Sequence, residues 1–109
     1  MARYLLIETR NPLDGGEYSY DLARQLTGER HDVTMYLLQD AVFAARKNFH
    51  EGQRLGQDAE KLGVHLVADG VSLRQRGVVG DRVAREVRVS DMDELVDLLM
   101  ERTDKAIWH

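Results

Sequence analysis

The stretch GVHLVADGVSLRQRGVV, residues 63–79, contains the first residues that could do chemistry. His65 and Asp69 are two and four positions apart from Val67 and from each other, so the alternation of a strand turns all three to one side. Asp69 immediately precedes Gly70 and a helical turn, where a carboxylate commonly accepts backbone N–H bonds as an N-cap. Two readings are open for Asp69: a cap, or the wall of a pocket for a cationic or hydrogen-bonding ligand. For His65 the choice lies between packing within the fold and a place in the same pocket, where an unassigned enzyme would use both residues.

Other chemistry is narrower. The chain has no cysteine, which removes disulfides, thiolate metal sites and covalent chemistry on a sulfur of its own. Its four histidines, His31, His50, His65 and His109, lack ligand spacing, so neither a metal nor a cofactor is expected. The loop TRNPLDGGEYSY, residues 9–20, offers glycines and Asn11 near a helix start. It matches neither phosphate fingerprint, and Asp14 and Glu17 put negative charge where a phosphate would sit. Its simpler reading is a turn over Pro12 to Gly16, with Asp14 or Gly16 capping the helix. Arg74, Arg76, Arg82, Arg85 and Arg88 form either an anion-binding region or a solvated face that balances an acidic last helix. The pocket candidates are therefore Asp69, Gly70, His65, Asn11, Arg74 and Arg76.

At 109 residues the chain fits one domain, 1–109, with a real core. A formal net charge of -4 gives no general attraction to nucleic acid or to an anionic membrane surface. No apolar run approaches the roughly 18 residues that span a bilayer. The opening MARYLLIET has neither the length nor the flanks of a signal peptide, so a cytoplasmic location is expected.

The elements that must position these residues alternate. YLLIE (Tyr4 to Glu8), VTMYLL (Val33 to Leu38) and VHLVA (Val64 to Ala68) are continuous apolar runs suited to strands covered on both faces. REVRVS (Arg85 to Ser90) and AIWH (Ala106 to His109) are weaker strand candidates. Helical periodicity spans Glu17 to Thr27, with Tyr18, Leu22, Ala23 and Leu26 on one face. In EGQRLGQDAEKLG, Leu55, Ala59 and Leu62 share a face and Gly63 marks the stop. SDMDELVDLLMER predicts a last helix capped by Ser90, with Met92, Leu95, Val96 and Leu99 inward and Asp93, Glu94, Asp97 and Glu101 in solvent. Strands alternating with helices imply right-handed crossovers and a mainly parallel sheet in a three-layer α/β/α sandwich. Ligands in such sheets gather at the carboxyl ends of strands, which marks the loops Thr9–Gly16 and Asp69–Gly77.

The order of elements, together with YLLQDAVFAARKN after the second strand and GVHLVADGVSLRQRGVV around the third, resembles the DsrE/DsrF-like family, also described as YchN-like. That family includes the Tus sulfur-relay subunits. Gln39, Asp40, Ala41 and Val42 occupy its short turn after the second strand, and Arg76, Gly77 and Val78 its RGV ending. DKAIWH is similar to the last strand of the TusB/DsrH branch. The resemblance implies a five-stranded parallel sheet of order 2-1-3-4-5 and assembly into dimers, trimers or hexamers. Val42, Phe43 and Phe49 are the interface candidates, because a small monomer would struggle to cover them. Sulfur-carrying members hold a persulfide on a cysteine at the end of the third strand, and the matching position here is Asp69. A carboxylate carries no persulfide.

The expectation is thus a non-catalytic DsrE-like subunit of sulfur relay or sulfur oxidation, acting with itself or with a cysteine-bearing relay protein. The alternative is a small-molecule-binding domain or unassigned enzyme with a pocket around Asp69 and His65. A cysteine placed at position 69 is expected to react readily if the site is open.

Overall fold

A computed structural model describes all residues, Met1 to His109. Five strands, β1 (Arg3–Glu8), β2 (Asp32–Leu37), β3 (His65–Asp69), β4 (Val87–Ser90) and β5 (Lys105–Trp108), pair in parallel throughout. The helices are α1 (Glu17–Gly28), α2 (His50–Lys61), α3 (Gly70–Gln75) and α4 (Met92–Glu101), with a 3-10 segment at Gln39–Ala45. A five-stranded parallel α/β sheet between helices is as the resemblance implies. Along the sheet the strands run β4-β3-β2-β1-β5. β2 therefore separates β1 from β3, which the implied order 2-1-3-4-5 would have made neighbours.

The order explains the two unequal helical layers. β2, β3 and β4 are added one after another in a single direction, so right-handed crossovers put their connections on the same face. On that face Leu6, Met35, Leu37, Leu66 and Ala68 pack beneath α1, the Gln39–Ala45 segment, α2 and α3. After β4 the chain returns across the whole sheet to pair with β1. The same handedness sends α4 to the opposite face, where Leu95 and Leu98 cover Leu5, Ile7, Tyr36 and Val67.

Close approach on the crowded layer depends on Gly52, where a Cβ would overlap the carbonyl oxygen of Ala44. Val42 is wholly buried in this layer, which removes it as an interface candidate: its side chain closes the protein's own core. Phe43 and Phe49 are half-buried beneath the Arg46 guanidinium, 4.9 and 4.3 Å from the two ring centres. The cation covers much of the aromatic surface that the sequence left without an obvious partner.

Three details of the helices differ from expectation. Asp91, not Ser90, caps α4 by accepting from the Glu94 N–H. Ser90 ends β4, and its hydroxyl bonds the Glu94 carboxylate, which Arg88 also grips at 2.7 Å. The bonds from Arg88 and Ser90 hold Glu94 below its usual titration range. The buried stripe of α4 is Leu95 and Leu98, whereas Met92, Val96 and Leu99 turn to its outer side. The apolar arc is wider than the strip of sheet beneath it, so periodicity alone could not say which edge would be covered. In α1, Tyr18 points outward for the same reason, while Tyr20 and Ser19 are buried.

Candidate functional site at the carboxyl ends of the strands

Asp69 is 4% exposed and caps α3. One oxygen accepts from the Ser72 N–H at 2.9 Å and from the Ser72 hydroxyl at 2.8 Å. The other faces the Tyr36 hydroxyl at 3.4 Å, which itself donates to the Asp91 carbonyl at 2.7 Å. Ser72 in turn accepts from the Gln39 N–H at 2.9 Å. Burial first, and the Asp69 charge second, raise the Tyr36 pKa well above its ordinary value, so this phenol is a neutral donor. The carboxylate thus ties together the ends of β2 and β3 and the start of α4. Almost the whole residue is covered, so a cysteine in its place is expected to react slowly with thiol reagents in the folded chain.

His65 lies on the same side of β3 as Asp69 but at the other end, about 13 Å away at the strand rise. It faces an open basin of about 330 Å³ with Arg3, Asp32, Thr34, Arg88 and Arg102, and its Nε2 lies 3.6 Å from Asp32. Asp69 does not line the basin that holds His65, and the strand length separates the two, so they do not form one site: equal side of a strand is not equal end. Asn11 spends its side chain on the Leu13 N–H, capping a 3-10 turn at Pro12–Asp14, while Gly16 stands at the start of α1 without a side-chain cap. Arg76 pairs with Asp40 at 3.0 Å and also reaches the Ser72 carbonyl. Gly70 and Arg74 line an apolar groove of about 240 Å³ between α3 and β4.

A second buried carboxylate escaped the sequence reading. Glu8, at the end of β1, is fully buried. It accepts from the Thr9 and Arg10 N–H groups at 2.9 and 3.0 Å and from the Ser19 hydroxyl at 2.7 Å. His109 Nδ1 lies 2.8 Å from Oε1, the oxygen that also accepts from Ser19, and the imidazole packs at a 39° tilt against Tyr18 with 4.6 Å between ring centres. Thr9 binds the His109 carbonyl through both its N–H and its hydroxyl. In this strand order the direction of strand addition reverses between β1 and β5, the position where open parallel sheets usually hold their ligands. Glu8 fixes the orientation of an imidazole there and leaves Nε2 unbonded. The signal in the sequence was slight: a glutamate closing the apolar run YLLIE, without any indication that residue 109 would return to it.

Residues 5–108 match the DsrE/DsrF-like family, and the chain belongs to that family. Two solved structures resemble it over the whole of both chains, each at 18% identity. One is the YchN protein from E. coli, with a TM-score of 0.81. The other is MTH1491 from Methanobacterium thermoautotrophicum, described as a protein of unknown function, with a TM-score of 0.86. At that identity the likeness is one of fold. No curated protein matches the sequence.

Proposed function

We propose that the chain is a non-catalytic subunit of a cytoplasmic DsrE-like assembly, related to sulfur relay, that works beside a cysteine-bearing partner rather than carrying sulfur itself. The observation that carries the reading is Asp69. At the strand end where the resemblance puts the sulfur-bearing cysteine stands a buried carboxylate with one oxygen bonded by Ser72 and the other beside the Tyr36 hydroxyl. A thiolate would attack or hold a sulfane sulfur, and a carboxylate does neither. What remains at this position is a rigid joint between β2, β3 and α4, which suits a subunit whose contribution is its surface.

The test has two arms. The purified chain is incubated with a persulfide donor and weighed intact, and a stable gain of one sulfur would end the reading. The chain is also mixed with a purified, cysteine-bearing DsrE/DsrF-like protein from the same cell and run by size exclusion. Co-elution at fixed stoichiometry is the expected result.

A further inference from the structure

Two apolar surfaces of the protein are left open, and their charges are opposite. On α4, Met92, Val96, Leu99 and Met100 are exposed by 50%, 50%, 36% and 79%. Their spacing places them along one flank of the helix, beside the turn-by-turn row Asp93, Asp97 and Glu101. On the other layer of the sandwich, the groove between α3 and β4 is lined by Leu73, Val78, Val79, Val83 and Val89, with Arg74 at its rim. The Arg74 guanidinium lies 3.4 Å from where a Gly70 Cβ would stand, and neither it nor the neighbouring Arg82 has a carboxylate partner. No acid is among the residues that line the groove. β4 is an edge strand, so the groove opens at the side of the sheet.

We infer that the groove of one copy receives the outer flank of α4 from a second copy. A volume of about 240 Å³ accommodates one or two aliphatic or methionine side chains, the size of the knobs that α4 presents. The acidic row then falls against Arg74 and Arg82, which sets orientation as well as attraction. A chain cannot satisfy its own groove, because α4 and the groove lie on opposite layers of the sheet. The contact joins two different patches, so copies add head to tail, giving a ring when the rotation between them closes and a filament when it does not. This inference rests on the assembly reading above and specifies its surfaces.

The experiment uses two full-length variants, Val96→Asp on α4 and Val79→Asp in the groove, both at exposed positions. Circular dichroism and melting establish that each folds. By light scattering the unaltered chain is expected to form an oligomer larger than a dimer, and each variant alone to dissociate at more than about tenfold higher concentration. Mixed together, the two variants retain one intact groove and one intact helix flank, so they form a one-to-one dimer that cannot grow. In a second pair, Arg74→Glu weakens assembly and adding Asp97→Arg to the same chain restores it. A monomeric unaltered chain, a Val79→Asp variant that assembles as well as the unaltered chain, or a mixture that yields no dimer would each overturn the pairing. Such a result leaves the proposed function standing if the chain still takes up no sulfur and binds the cysteine-bearing subunit. A gain of sulfur sinks that function without touching the pairing.

Discussion

The ends of β1 and β3 carry the same device, a buried carboxylate, put to different uses. Asp69 binds groups from residues 36 and 72, and its work is to start a short helix and hold neighbouring strand ends together. Glu8 binds the next two N–H groups and Ser19 as well, but also an ionisable ring 101 residues away. The first carboxylate is closed off; the second holds an imidazole with a free nitrogen at the reversal point of the sheet. Position at the end of a parallel strand is thus not by itself a mark of function. What distinguishes the two is what they hold: Asp69 a serine and a phenol enclosed in the fold, Glu8 an imidazole whose Nε2 is unbonded.

The largest effect that bears on this contrast is expected from Glu8→Ala. It strands the Ser19 hydroxyl, two N–H groups and the imidazole in or beside the interior, and each buried donor left without a partner costs about 1–3 kcal/mol, so the total exceeds the loss of a single cap. Glu8→Gln keeps an acceptor and should cost about 1–3 kcal/mol. Denaturant unfolding measures both, and a Glu8→Ala loss no greater than that of Asp69→Ala would erase the distinction between the two ends.

Asp69→Ala is expected to cost about 0.5–2 kcal/mol, the range of a lost helix cap. Asp69→Asn should be close to neutral, since its carbonyl can serve Ser72 while its amide donates to the Tyr36 oxygen. Equal losses for Asn and Ala, measured by the same unfolding curves, would mean that the charge itself is required and that the position is more than a cap.

The smallest effect lies at alkaline pH. The Tyr36 pKa is raised in the folded chain, by burial and by Asp69, and burial raises that of Tyr20 as well. As pH climbs past about 10 the unfolded chain loses these protons first, so stability present below that value is lost above it. Tyr36→Phe should flatten the alkaline fall in melting temperature while lowering stability near neutrality by about 1 kcal/mol for the lost bond to Asp91. An unchanged alkaline limb would show that Tyr36 is more solvated than its packing at the β3 end implies.

Local chemistry made much of the protein legible in advance. Continuous apolar runs marked three of the strands, and Asp69 before Gly70 marked a cap, because burial on two faces and cap geometry depend on residues a few positions apart. The absence of cysteine settled at once what this chain's sulfur chemistry could not be. The tertiary structure decided the rest. That α4 lies on the face opposite α1, α2 and α3 and that Glu8 meets His109 both follow from the order β4-β3-β2-β1-β5, whereas the spacing along β3 alone puts His65 and Asp69 at its two ends. That order brings residues 3–8 against residues 105–108, and no periodicity within either segment encodes its partner, because pairing of distant strands is chosen by the packing of the whole sheet.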